Sequence, residues 1–205
     1  MSKTIETITE QEESMIFREM FNQTVSPARY AKRLRNAAMF ALMLDAGLRV
    51  GEVVKLHIPD LVTVNEPVHT LIIGADIAKT KTSRSIPLTS RIRNLVKEMN
   101  EHIWRYETQY EGNWCFFHTT QFRHITVRQV ERILKAVSKA AIDREVHPHA
   151  LRHTFATRLM RISNIRIVQA LLGHKSLTST QVYTHPNNID LKSAIEGLEK
   201  GTPNS

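Results

Sequence analysis

Cysteine is nearly absent from this chain: one of its 205 residues is Cys. A single Cys cannot form an intramolecular disulfide, and it excludes a zinc or iron–sulfur site built from several cysteines. Long apolar runs are absent too, since none approaches the roughly 18–20 residues that cross a bilayer. Residues 1–13 are polar and acidic, without the apolar core of a signal peptide. We therefore expect a cytoplasmic protein that does not enter a membrane.

Acidic residues are outnumbered by basic ones. The chain has 28 Lys and Arg against 20 Asp and Glu, which gives a formal net charge of +8. Excess positive charge is the electrostatic footprint expected of a nucleic-acid binder. Many basic proteins bind no nucleic acid, so the charge indicates a class of partner without establishing it.

Several common enzyme motifs are also missing. The sequence contains neither G-x-x-x-x-G-K-[ST] nor G-x-G-x-x-G, the glycine-rich loops that bind nucleotides. It has no G-x-S-x-G elbow of a serine hydrolase. Cys115 lies between Trp114 and Phe116, so we predict a buried thiol that is not a nucleophile. No internal repeat or interdomain linker is evident.

Helical patterns dominate the chain. Thr9 with Glu12, and Thr126 with Gln129, form the capping boxes that begin helices. The dipeptide at 26–27 is a cap followed by a first-turn Pro, and Gly47 is a natural helix end. The predicted helices are residues 10–22, 26–47, 51–56, 90–110, 126–141, 148–162, 165–172, 177–183 and 189–198.

Residues 60–86 are rich in the strand-forming residues Val, Ile and Thr, and the short apolar run 114–117 is a buried strand or a turn. The runs 61–64, 69–73 and 85–88 predict a small antiparallel sheet. The fold class is therefore mainly α with a small antiparallel β-sheet. We expect residues 1–205 to form one domain, with an ordered core over about residues 10–199.

Four segments carry residues suited to chemistry. They are Gly-Leu-Arg49-Val-Gly-Glu52, Lys79-Thr-Lys81, His-Pro-His149-Ala-Leu-Arg152-His153, and Leu-Leu-Gly-His174 followed by Tyr183.

His149 and Arg152 share one face in the first turn of a helix that Pro148 begins. An Arg fork, an imidazole and a helix N-terminus together suit a phosphate. His149 and His153 also have the spacing of a metal-binding pair. However, Ala150 stands where the zinc proteases carry Glu, and no carboxylate cluster supplies further ligands, so we expect no metal site.

Each candidate also has an ordinary structural explanation. These are a salt bridge to Glu52 for Arg49, a solvated turn for Lys79, a helix cap for His174 and simple packing for Tyr183.

Taken together, the four segments resemble the catalytic domain of the tyrosine recombinases, the phage-type integrase family. The match spans residues 35–195, and its strongest stretches are 149–157 (HALRHTFAT), 171–174 (LLGH) and 178–185 (TSTQVYTH). The resemblance implies the tyrosine recombinase catalytic fold and a site-specific recombinase or integrase. Such an enzyme cleaves and rejoins DNA strands through a 3′-phosphotyrosyl intermediate, without metal, ATP or cofactor.

The resemblance also assigns roles to residues. The catalytic set it implies is Arg49, Lys79, His149, Arg152, His174 and Tyr183. Tyr183 matches the nucleophile, Lys79 matches the hairpin lysine with Lys81 as the alternative, and Glu52 matches a supporting acidic position. One departure is Gly51, where relatives often carry Ser.

Double-stranded DNA is the implied partner, together with self-association into a tetrameric synapse. The helix that begins at Thr126 resembles the element that the family places in the major groove. There Arg128 would read guanine and Gln129 adenine, or both would contact phosphate alone. The other predicted DNA-binding residues are Lys81, Arg84 and Arg123. Residues 1–34 precede the first recognisable segment, so we expect the family's N-terminal core-binding domain to be absent from this chain.

Two other functions remain open. The first is a non-catalytic DNA-binding regulator that keeps the fold, although such a protein needs no tyrosine nucleophile. The second is a type IB topoisomerase, which uses similar chemistry without site specificity. The wording of residues 149–157 and 171–174 favours a recombinase.

Overall fold

A computed structural model describes residues 6–21, 27–78, 83–105, 113–117 and 124–173. Within these ranges the helices are α1 (Glu10–Phe21), α2 (Pro27–Asp45), α3 (Val50–Val53), α4 (Ile58–Leu61), α5 (Ser90–Met99), α6 (Val127–Ile142), α7 (Pro148–Ile162) and α8 (Ile165–Leu172). The strands are β1 (Val62–Thr63), β2 (Glu66–Pro67), β3 (Thr70–Ile73) and β4 (Arg84–Pro87). None of the helices in these ranges has the length and apolarity needed to cross a membrane.

Helix α2 is the centre of the fold. Its residues 37–44 are all buried, because this stretch is apolar on every side rather than on one stripe. Helices α1, α5 and α7 pack around it. A second, smaller cluster of Ala156, Val168 and Leu172 lies between α7 and α8. The predicted mainly helical fold is confirmed.

The strands form two separate antiparallel hairpins rather than one sheet. Strands β1 and β2 are joined by Val64 and Asn65, both in the left-handed region with φ of 51° and 67°. A two-residue loop with positive φ at both positions is typical of a tight β-hairpin, and this hairpin has two residue pairs. Strands β3 and β4 pair Leu71 with Ile86 and Ile73 with Arg84.

Two predicted helices have different bounds in the structure. The single helix expected over residues 90–110 is α-helical to Met99 and continues as one π-helical turn, Asn100–Trp104. The helix expected at 51–56 is shorter, at Val50–Val53. Helix α4 was not expected: its signal is Asp60, whose carboxylate accepts the His57 backbone N–H at 2.8 Å. The helices expected at 177–183 and 189–198 lie outside the described residues.

Helix α1 is attached to the domain by charged side chains. Its capping box is as predicted: the Thr9 N–H donates to Glu12 Oε2 at 2.8 Å, and the Glu12 N–H donates to Thr9 Oγ1 at 3.1 Å. Glu13 is buried and accepts from Arg91 of α5 and Arg158 of α7. One carboxylate thus joins three helices.

Cys115 is fully buried, as the sequence predicted. Its backbone carbonyl accepts the Trp104 indole N–H at 3.0 Å, and its own N–H donates to the Leu56 carbonyl at 2.9 Å. Burial raises the pKa of the Cys115 thiol well above its usual value, and the charge of Asp60 adds to this. The thiol is therefore inert in the folded chain.

Candidate active site

A buried carboxylate lies at the centre of the candidate site. Glu52, in α3, is 1% exposed. Arg84 approaches it as a two-pronged fork, with Nη1 donating to Oε1 at 3.0 Å and Nη2 donating to Oε2 at 2.7 Å. Parallel hydrogen bonds of this kind are the strongest arrangement for an Arg–carboxylate pair. The pair joins α3 to the first residue of β4.

The surroundings of Glu52 keep it ionised. Burial acts to raise its pKa, but hydrogen bonds and charge from Arg84, the Arg49 backbone N–H and the charge of Arg152 lower it more. The net result is a pKa below the usual value for Glu. Three arginines therefore face one carboxylate, and the local charge is positive.

Arg49 caps the N-terminal end of α3. Its backbone N–H donates to Glu52 Oε2 at 2.8 Å, and its Nη1 donates to Glu52 Oε1 at 3.2 Å. The salt bridge proposed from sequence as the ordinary explanation is thus present. It does not bury Arg49, whose side chain remains 19% exposed. The carboxylate orients an arginine that solvent, and hence a ligand, can still reach.

Arg152 holds two chain segments together from α7. It is 5% exposed, and its Nη1 and Nη2 donate to the carbonyls of Gly47 and Leu172, the latter at 2.7 Å. Gly47 lies two residues before Arg49, and Leu172 is the last residue of α8. Arg152 therefore brings the α2–α3 junction and the end of α8 to the same place.

His149 and His153 lie on α7 beside Arg152. His149 is exposed in the first turn of the helix, and its ring centroid is 6.3 Å from that of His153. Burial lowers the pKa of His153, and the charges of His149 and Arg152 lower it further. The exposed ring of His149 is the one placed to meet a ligand. Within the described part of the chain, no three His, Cys, Asp or Glu side chains group closely enough to hold a metal ion.

Among the predicted site residues, the structure groups Arg49, Arg84 and Arg152 around Glu52, and His149 lies one helical turn before Arg152 on α7. Five further predicted site residues lie outside the described residues, namely Lys79, Lys81, Arg123, His174 and Tyr183. Two described ranges end next to such residues: Ala78 precedes Lys79, and Gly173 precedes His174.

The position of Arg84 does not fit its predicted role as a DNA-binding residue. It was expected to contact DNA, which requires an accessible guanidinium, but its side chain is 4% exposed and is bonded to protein atoms. The signal that could have located it is its register: Arg84 and Ile86 are the inward-facing positions of β4. A charged residue on an inward position needs a buried partner, and Glu52 supplies it.

The two predicted base-reading residues of α6 differ in availability. Arg128 is exposed. The Gln129 amide oxygen accepts from the Thr126 backbone N–H at 2.9 Å and from its hydroxyl at 3.0 Å. Reading adenine bidentately requires that same oxygen together with the amide NH₂. The capping box predicted from sequence therefore competes with the predicted adenine contact.

The fold is that of a recombinase catalytic domain. The chain matches the crystal structure of XerA recombinase with a TM-score of 0.68 and 25% identity, over 97% of this chain and 66% of that one. It matches XerH site-specific recombinase bound to its palindromic difH substrate with a TM-score of 0.73 and 23% identity, over 96% and 54% of the two chains. The second likeness, at that identity, is one of fold.

The sequence comparison extends this from fold to family: the chain belongs to the phage integrase family, whose model matches residues 7–189. It is 29% identical over 200 residues to the tyrosine recombinase XerC of Pediococcus pentosaceus, covering 96% of this chain and 62% of that protein. It is 34% identical over 160 residues to XerD of Caulobacter vibrioides, covering 76% and 50%. The chain thus spans about half to two-thirds of the length of these relatives, and the resemblance noted in the sequence is confirmed.

Proposed function

We propose that this chain is a site-specific DNA recombinase that cleaves and rejoins DNA through a covalent bond to Tyr183. The observation that carries the proposal is that Glu52 orients an accessible Arg49 within the field of Arg152, with the exposed His149 one helical turn from Arg152 on α7. A phosphodiester bears one negative charge, and its transition state bears more. The accessible Arg49 guanidinium, held in place before the reaction, and the buried positive charge of Arg152 stabilise that charge without reorganising.

The proposed reaction exchanges one phosphoester for another. The Tyr183 hydroxyl oxygen attacks phosphorus, and the bond from phosphorus to the 5′-oxygen breaks. The DNA strand is left attached to the enzyme as a 3′-phosphotyrosine. The attack of a free 5′-hydroxyl reverses the step on a new strand. The covalent bond retains the energy of the phosphodiester, so ligation needs no ATP.

Two groups are assigned to proton transfer, and a third to hydrogen bonding with the phosphate. A phenol has an ordinary pKa of about 10, so the Tyr183 proton must be removed as the oxygen attacks. His149, in the first turn of α7, is the acid–base group that accepts it. Lys79 is the general acid for the departing 5′-oxygen, with Lys81 as the alternative. His174 donates a hydrogen bond to a phosphate oxygen.

Duplex DNA is the proposed substrate and a second copy of the chain the proposed partner. The related XerH site-specific recombinase has been crystallised with its difH substrate in pre-cleavage and post-cleavage complexes. For this chain the supporting features are its charge of +8 and the exposed Arg128 near the start of α6. Strand exchange between two duplexes requires four copies, which is the basis for proposing a tetrameric synapse.

Covalent trapping tests the proposal. The full chain is incubated with nicked half-site duplexes that carry a randomised stretch, and DNA that remains attached after denaturation is sequenced. We expect attachment at a defined motif, its loss in Tyr183→Phe, and its retention in Tyr30→Phe, since the Tyr30 hydroxyl donates to Glu98 at 2.6 Å and is not part of the site.

Other outcomes would identify the alternative functions. Sequence-specific DNA binding without any covalent product would contradict the proposal and indicate a regulator. Tyr183-dependent relaxation of a supercoiled plasmid, with no preferred motif, would indicate a topoisomerase.

A further inference from the structure

Every nitrogen of the Arg84 guanidinium is engaged by the protein. Nη1 and Nη2 donate to Glu52, and Nε donates to the carbonyl of Leu171 at 2.9 Å. Leu171 is in the last turn of α8, where helix carbonyls have no partner within the helix. Arg84 therefore ties α3 and α8 to β4 through one planar group.

Arg84 and Arg152 hold adjacent carbonyls at the end of α8. Arg84 takes that of Leu171, and Arg152 takes that of Leu172. The negative end of the helix dipole favours cations at this position. The next residue, Gly173, adopts φ of +63°, and a Cβ there would lie 3.0 Å from Arg84 Cδ. Two arginines therefore hold the backbone at the end of α8, and Gly173 leaves room for the Arg84 side chain.

Arg84 and Arg49 share the carboxylate of Glu52. Both arginines donate to Glu52 Oε1, at 3.0 Å and 3.2 Å. If Arg84 were absent, Glu52 would be left with Arg49 as its nearest hydrogen-bonded cation and would draw it inward. Arg84 therefore also governs how far Arg49 remains available to a ligand.

We propose that Arg84 is a positioning residue for strand cleavage: it holds Glu52 and the end of α8 so that Arg49 is presented to the scissile phosphate. The inference rests on the proposed recombinase function. It replaces the DNA contact expected for Arg84 from sequence, since its effect reaches the phosphate through other residues. Lysine cannot replace it, because a point charge on a flexible stem cannot make three hydrogen bonds in one plane.

The test is single-turnover cleavage by the full chain on the half-site duplex selected by covalent trapping. The variants are Arg84→Lys and the double variant Arg84→Met/Glu52→Gln, which removes both charges of the bidentate pair at once. The control is Arg18→Lys, an exposed arginine of α1. Melting temperature and DNA dissociation constant are measured on the same samples.

We expect cleavage to fall about tenfold in Arg84→Lys and about 100-fold in the double variant, the scale of a misplacement near 1 Å. The dissociation constant for DNA should change less than threefold, and the double variant should melt near the wild-type temperature. Arg18→Lys should cleave as the wild type does.

Three results would overturn the inference. Folded variants that cleave at the wild-type rate would show that Arg84 serves stability alone. A loss of DNA affinity equal to the loss of cleavage would show a direct DNA contact. A wild-type chain that forms no covalent product would contradict the proposed function itself, and the inference with it.

Discussion

Gly47 lies where a side chain has neither a suitable backbone nor room. Its φ is +62°, and a Cβ would lie 2.4 Å from Phe155 Cδ1. Its carbonyl also accepts from Arg152. We expect Gly47→Ala to lower the free energy of unfolding by about 2–4 kcal/mol, the sum of left-handed strain and overpacking. Urea denaturation measures this.

Gly51 provides the matched control. It is helical, and nothing lies within 4 Å of a Cβ built on it. Gly51→Ala should be neutral or stabilising by up to about 1 kcal/mol. Equal losses for the two alanines would contradict the steric argument at Gly47.

Glu52 should make the protein sensitive to acid. Its pKa is lowered in the folded chain, so its stabilisation is fully present above the unfolded value of about 4.5 and is lost as pH falls through the folded value. We expect Glu52→Gln to lose about 3–5 kcal/mol at neutral pH, the cost of breaking a buried ion pair. Its stability should also fall less steeply than the wild type's below pH of about 4.5.

Urea titrations at a series of pH values would check this, with the exposed Glu101→Gln as control. Parallel acid limbs for wild type and Glu52→Gln would show that other carboxylates, such as Glu12 with its pKa lowered to about 2, dominate the acid response.

At the scale of elements, α1 depends on charge at a buried position. Glu13 receives Arg91 and Arg158, and Arg144 donates to Glu12 at 2.6 Å. We expect Glu13→Gln to accelerate hydrogen exchange of α1 amides by roughly tenfold or more, because each charged hydrogen bond contributes about 1.5–3 kcal/mol. The amides of α2 should keep their protection and serve as the internal control. Uniform acceleration across both helices would mean that α1 opens only with the whole domain.

Elements with local signals were predictable from the sequence. The boxes Thr9/Glu12 and Thr126/Gln129 set the starts of α1 and α6 as expected, and Gly47 and Gly173 follow α2 and α8. The division of the strands into two hairpins was not predictable, because the apolar pattern locates strands and does not show which of them pair.

The site divides in the same way. Its residue types and spacing identified Arg49, His149 and Arg152, since a helix start and a short motif are local. The role of Arg84 depends on a partner 32 positions away and on a carbonyl 87 positions away, and spacing along the chain gives no sign of either.

For the whole molecule, the charge of +8 predicts DNA binding that weakens steeply with salt. Arg128, exposed near the start of α6, is the residue that we propose reads guanine. We expect Arg128→Ala to lose about 1–3 kcal/mol of affinity on the selected site and less on random duplex. Binding measured at several salt concentrations on both DNAs separates the two contributions. An equal loss on both, with a salt slope lower by about one, would mean that Arg128 contacts phosphate only.

Chemical labelling of Cys115 can measure how often the folded domain opens. The single thiol is fully buried, and burial raises its pKa. A maleimide or disulfide reagent can therefore reach it only when the domain opens. The rate of labelling therefore reports the opening of the core around residue 115 without any engineered probe. A cysteine introduced on the surface would react alone, so a dye or cross-linker could be attached at one chosen point while the native thiol stays silent.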